Sequence, residues 1–169
     1  MKDYLIIRNF MNDDLLKLTE IDDPNILYVD GKSGLYGQEL LIDVLIKKEL
    51  QNKYKYLIFI DEDCLLTDKT YITHLIKLMD DCDFDICGVP DGGMVDTRTH
   101  RPDVPNIFFT IIKTDKIINK LSKDIIDNYE VPILKSETKG AKYDNFEPYY
   151  KTLCYFIYEI GMKFLPINA

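Results

Sequence analysis

The sequence predicts an α/β fold, a mostly parallel central sheet flanked by helices. Three observations lead there. Short apolar runs alternate with amphipathic segments along the chain. The run at residues 56–60 is continuous rather than alternating, as in a strand covered on both faces. Polar or acidic residues stand where these runs stop.

Taken in order, residues 4–7 read as a short first strand stopped by Arg8 and Asn9, and residues 25–30 as a second, stopped by Asp30-Gly31-Lys32. Between residues 37 and 53, Leu40, Leu41, Val44, Leu45 and Ile46 recur at helical spacing, with Glu39, Lys47, Lys48 and Glu49 on the wet face, so one amphipathic helix is expected. The strand at 56–60 follows. Thr67 or Asp68 then caps a helix whose Tyr71, Ile72, Leu75, Ile76 and Met79 share a face, leaving His74 on the surface. Residues 84–89 form a strand ended by Pro90-Asp91-Gly92-Gly93, and a long loop runs to residue 106. A strand is expected over 107–113, and Thr114 caps a helix with Ile117, Ile118 and Leu121 inward. Residues 134–145 read as a polar, mobile segment. Pro148 suits the first turn of a helix carrying Leu153, Phe156, Ile157 and Ile160, with Gly161 as its stop before a last strand over 162–167.

At 169 residues and 46% hydrophobic, the chain suffices for one domain spanning residues 1–169. A formal charge of −8 argues against nucleic acid, which needs a basic face. No apolar run approaches the ~20 residues of a membrane span, and Lys2-Asp3-Tyr4 is unlike a signal peptide, so a cytoplasmic protein is expected. Cys64, Cys82, Cys87 and Cys154 lack paired CxxC spacing and read as reduced thiols. Gly31, Gly34 and Gly37 give GxxGxxG, which is not a dinucleotide fingerprint; turn geometry and close backbone approach explain Gly34 and Gly37 better.

Asp61, Glu62 and Asp63 follow the continuous strand directly. Ligands of open α/β sheets bind at the carboxyl ends of strands. Three adjacent carboxylates raise one another's pKa unless a cation offsets the repulsion, and hard oxygen ligands suit Mg²⁺ or Mn²⁺. In extended geometry Asp61 and Asp63 face one ion while Glu62 faces away. The plainer reading makes the three acids the polar start of a loop before the next helix, where they complement its dipole.

The stretch "YLIFIDEDCLL", followed by a helix and then by "FDICGVPDGG", resembles the core of GT-A glycosyltransferases, in which a strand ends in a DxD motif that binds metal and nucleotide sugar. The order of elements around it is similar too. The resemblance implies a GT-A-like fold and transfer of a sugar from a nucleoside diphosphate donor, a UDP-sugar first, to a glycan or other hydroxyl acceptor. It implies Mn²⁺ or Mg²⁺ held by Asp63 directly, with Asp61 on the ribose or reaching the metal through water. Only about 60 residues precede the motif, so a minimal enzyme or one domain of a longer protein is expected. The family's nucleotide lies over the ends of the first strands, which here offer Arg8, Asn9, Asp30 and Lys32; as strand-end residues the same four also suit ordinary turns.

An inverting transferase needs a base for the acceptor hydroxyl. Glu147 in "NFEPYY" resembles the family's acidic base segment, and also suits a helix N-terminus; Asp91 is a second acid, also readable as a turn residue or an acceptor contact. Arg98, His100 and Arg101 could close over diphosphate or acceptor, or lie in a solvated loop. Tyr149, Tyr150, Tyr155 and Tyr158 offer an acceptor platform or core packing. Two rival functions share these residues: a nucleotidyltransferase of related shape, which lacks here a Gly-rich basic loop after the first strand, and a non-catalytic interaction domain on the same fold.

Overall fold

The computed structural model describes residues 2–34, 38–68, 70–91, 100–134, 147 and 149–168. Strands β1 (Lys2–Phe10), β2 (Ile26–Asp30), β3 (Tyr54–Asp61), β4 (Ile86–Pro90), β5 (Pro105–Lys113) and β6 (Phe164–Pro166) form one sheet in the order β2-β1-β3-β5-β4-β6. β1 pairs in parallel with β2 and β3, and β4 with β6, while β5 runs antiparallel to both β3 and β4. Five strands therefore point one way and β5 alone points back, which makes the sheet mixed and mostly parallel. The reversal shows in the register: Pro90 at the carboxyl end of β4 stands opposite Pro105 at the start of β5.

Helices α1 (Asp13–Leu18), α2 (Gln38–Leu45), α3 (Lys48–Lys53), α4 (Thr70–Asp81), α5 (Lys123–Asp127) and α6 (Tyr150–Cys154) complete the fold, the last running into a π-helical turn over Tyr155–Glu159. Period-two alternation in the strands divides the core between the two faces of the sheet. On one, Leu5, Ile7, Leu57, Phe59 and Ile112 meet Leu40, Leu41, Val44 and Leu45 of α2 and Leu153 of α6. On the other, Ile6, Ile58, Ile60 and Ile111 meet Ile72, Leu75 and Met79 of α4, each such side chain worth about 1.5–3 kcal/mol on burial. β3 is covered on both faces and paired on both edges, as its unbroken apolar run predicts.

Four local expectations change. β1 extends three residues beyond the expected strand, because Arg8 and Asn9 are buried within it rather than exposed after it. The single helix expected over 37–53 is two helices, with Lys47 extended between them; the buried Gln51 amide donates to the Leu45 carbonyl and satisfies the end of α2. Thr114 caps no helix: its hydroxyl donates to the Tyr54 carbonyl at 2.7 Å, tying the end of β5 to the start of β3. Turns follow it, and the helix comes at α5 under a Ser122 cap. Finally α1 lacks a continuous apolar stripe, and its signal was the Asn12 cap, which accepts from Asp14 and Leu15 N–H, with acids in the first turn and Lys17 in the last.

Other expectations hold. Asp68 accepts from the Thr70 backbone at 2.8 Å ahead of α4, and His74 is exposed. Gly34 and Gly161 adopt positive φ of 91° and 78° at the turns they end. Cys64, Cys87 and Cys154 are buried free thiols and Cys82 an exposed one; burial pushes the Cys64 thiol up to about 11. No helix among the described residues is long and apolar enough to cross a membrane. Gly37, Arg98 and Pro148, and all but the first residue of the 134–145 segment, lie outside the described residues.

Candidate functional site

Because five strands are co-directional, their carboxyl ends gather on one edge of the sheet, and β5 begins there. That edge collects Asn9, Asp30, Asp61 and Asp91 from four strand ends that are up to 82 positions apart in sequence. Asn9 stands opposite Asp61 in the β1–β3 register, and both follow the parity of Ile7 and Phe59 toward the α2 face. With Ile7, Leu40, Leu41, Phe59, Ile60 and Ile107 they line a narrow crevice between the sheet and α2.

The strand ends at Asp61. The Cys64 N–H donates to the Asp61 carbonyl at 3.1 Å, so residues 61–64 close a turn, and the extended geometry expected for the three acids applies only to the first. Asp63 remains electrostatically coupled to Asp61 through this turn and is exposed. Burial, reinforced by Asp63 and then Glu62, pushes the Asp61 carboxyl up to about 7, against the opposing influence of Arg8. A nearby positive charge would favour the ionised form of such a carboxyl and bring its pKa back down.

Asn9 is 2% exposed, and neither its Oδ1 nor its Nδ2 has a hydrogen-bond partner among the described residues. Such an amide costs roughly 1–3 kcal/mol to bury. Gly31, just after β2, packs against it: a Cβ there would come 3.0 Å from Asn9 Oδ1. Asp30 accepts from the Lys32 N–H at 2.9 Å, and Lys32 reaches Asp13 at 2.7 Å over the Phe10 ring.

Arg8, one residue before Asn9, points to the opposite face and is 1% exposed. Its guanidinium donates to the carbonyls of Cys64 at 3.2 Å, Thr19 at 3.0 Å and Glu62 at 3.2 Å, and to the Thr19 hydroxyl. Burial lowers its pKa, against the raising influence of Cys64, Tyr28, Asp61 and Glu62. Its donors therefore hold the acidic turn against the end of α1. Thr19, which also donates to the Glu62 carbonyl, carried no signal in the sequence.

A second polar cluster forms at the end of β4. The Asp91 carboxylate accepts from Tyr149 at 3.1 Å, from Tyr150 and from the Asn106 amide, and His100 Nδ1 lies 3.5 Å away. Burial and then Asp91 raise both tyrosine hydroxyls well above their ordinary range, with Glu147 adding to the effect. Asp91 and Glu147 thus act on the same pair of tyrosines. Arg101 is fully buried rather than solvated, forked onto Asp103 at 3.0 and 2.6 Å and bonded to the Pro132 carbonyl. Tyr149 and Tyr150 pack in the core, while Tyr158 is exposed and donates to Asp103. Asn106 is another residue that the sequence did not flag.

Among the described residues, no group of three or more His, Cys, Asp or Glu is arranged to hold a metal ion. Any cation at the acidic turn would therefore rest on one or two carboxylates plus its own ligand's oxygens, the mode Mg²⁺ favours.

No known family model matches the chain, and no curated protein matches it. The crystal structure of A197 from STIV is similar over 99% of this chain and 82% of that one, with a TM-score of 0.51 and 14% sequence identity. At that identity the likeness is one of fold.

Proposed function

We propose that the chain is a divalent-metal-dependent glycosyltransferase of GT-A type, moving a sugar from a nucleoside diphosphate donor, UDP-linked first, to a hydroxyl acceptor. One observation carries the reading: the Asp61–Asp63 turn on the carboxyl end of the central strand, where a half-buried carboxyl pushed up to about 7 stands opposite a buried amide with no partner among the described residues. A cation would supply the missing positive charge at Asp61, and a polar ligand the missing partners of Asn9. In this reading Asp63 holds Mn²⁺ or Mg²⁺, with Asp61 beside it or reaching it through water. The bound ion supplies Lewis-acid stabilisation of the diphosphate leaving group. Asn9 meets the nucleoside, with Asp30 and Lys32 at the neighbouring strand end. Arg8 contributes by holding the turn rather than by contacting phosphate.

Calorimetry of the protein with UDP, GDP, CDP and ADP, with and without Mn²⁺, tests this. Metal-dependent binding of one nucleotide, abolished in Asp63→Ala, is the expected result. If no nucleotide binds, or if binding survives that substitution, the reading fails.

A further inference from the structure

We propose that the chain forms a two-fold dimer in which the free edge of β2 adds antiparallel to β2 of a second copy, with Tyr28 at the dyad. This dimer does not depend on the donor chemistry. Among the described residues β2 is bonded to β1 on one side and to no strand on the other. The Ile6 N–H donates to the Asn25 carbonyl at 2.8 Å, so alternate residues from Asn25 onward turn their backbone groups to β1. The N–H and C=O of Ile26 and Tyr28 therefore point to the open side.

The two edges of the sheet are built differently. At the far edge β6 has 3 residues, ends on Pro166 and follows Lys163, all features that keep an edge from pairing. β2 has 5 residues, Ile26–Asp30, with neither lysine nor proline among them and an unshifted register to β1. It also presents apolar surface on both faces. Tyr28, beside Arg8 on the α4 face, is 46% exposed, and Leu27, beside Ile7 on the α2 face, is 38% exposed.

A second copy fits this edge because the strand is complementary to itself about Tyr28. The backbone groups of Tyr28 meet those of its counterpart as a hydrogen-bonded pair, which lays the two rings side by side on the α4 face. On the α2 face Leu27 comes opposite Val29 of the second copy, an apolar cross-strand pair. Asp22 and Asp23 precede the strand and Lys32 follows it, so antiparallel pairing brings Lys32 of one copy beside Asp23 of the other, whereas parallel pairing would set like charges together. Lys32 is held in its own chain only by an exposed pair with Asp13, which leaves its ammonium able to bridge. The surface on one such strand falls below the roughly 1,200 Å² of a stable complex, so the dimer is weak and concentration-dependent. The dyad turns the carboxyl ends of the two copies' strands in opposite directions, so the two candidate sites lie at opposite edges of the joined sheet.

Two measurements on the full chain test the assignment. Sedimentation velocity from about 5 to about 500 µM, at a salt concentration that screens like charges beyond about 8 Å, should show the 19.8 kDa chain shifting toward twice that mass. Tyr28→Glu, which sets like charges across the dyad, should move the midpoint about 10-fold or more to higher concentration, while Ile133→Glu at another exposed apolar side chain leaves it in place. In a Cys82→Ser background, which removes the exposed native thiol, Tyr28→Cys should form an intermolecular disulfide on mild oxidation, because a hydrogen-bonded pair lies about 5.5 Å apart at Cα. Ile26→Cys, whose counterpart lies about 13 Å along the strand, should not. A single-chain mass throughout, a dimer unweakened by Tyr28→Glu, equal weakening by Ile133→Glu, or a disulfide that forms as readily at residue 26 as at residue 28 each overturns the proposal. If Tyr28→Glu does not fold, the comparison of residues 28 and 26 decides alone.

Discussion

Replacing Asp61 by asparagine should stabilise the protein, and by an amount that depends on pH. The Asp61 carboxyl is pushed from 3.8 up to about 7, chiefly by burial and then by Asp63 and Glu62. With the folded pKa above the unfolded one, the native state holds the extra proton between those values, so raising the pH through that window destabilises it. About three pH units at about 1.4 kcal/mol each set a ceiling of about 4 kcal/mol, reached above pH 7 and absent below pH 4. The substituted amide stays neutral throughout and escapes the penalty. Urea unfolding at intervals from pH 4 to 8 reads the difference; with a slope of about 2 kcal/mol per molar, the variant's midpoint should exceed wild type by up to about 2 M at pH 8 and converge with it near pH 4. Mn²⁺ should close much of that gap by stabilising ionised Asp61 in the wild type alone. Parallel pH curves for the two proteins, or a gap that widens toward acid, would refute the reasoning.

The unpartnered amide predicts that Asn9→Leu raises stability by about 1–3 kcal/mol while UDP affinity falls, measured by urea unfolding and calorimetry; a loss of stability would mean that the amide is satisfied in solution. Arg8→Lys keeps the charge but cannot serve the Thr19, Cys64 and Glu62 carbonyls together, so it should cost about 3 kcal/mol, and a cost below about 1 kcal/mol would show that the acidic turn does not depend on the guanidinium fork. Gly88→Ala drives a Cβ to 2.7 Å from the Phe109 carbonyl and 2.8 Å from Pro105 Cβ, where β4 and β5 are closely packed. A thermal-melt loss equivalent to about 1–3 kcal/mol is expected, and an unchanged melt would indicate that the β4–β5 spacing relaxes.

Much of the architecture was legible because its causes are local or periodic. A continuous apolar run of this length suits a strand buried on both faces, so β3 and the acids at its carboxyl end were both visible in residues 53–66. The Asp68 cap and the Gly161 stop follow from backbone chemistry within a few residues. The α2–α3 break was hidden because it depends on a buried amide reaching back six residues against the helical pattern, and the direction of β5 because reversal leaves no mark on its own composition.

The site divides along the same line. Composition and order alone determined that an acidic group would stand at the end of the central strand and that Asp30, Asp61 and Asp91 would lie at strand ends. Tertiary structure decided what each of these groups experiences. Arg8 and Asn9 look alike in the sequence as polar residues that stop the first strand, yet both lie within it, and period-two geometry sends one to three carbonyls on the α4 face and the other into a crevice without partners among the described residues. Asp91 looked like a turn residue until Asn106, Tyr149, Tyr150 and His100 closed around it. Hydrogen-bond partners and the burial that shifts a carboxyl come from segments tens of residues away, and no single stretch of the chain encodes the desolvation that they impose together.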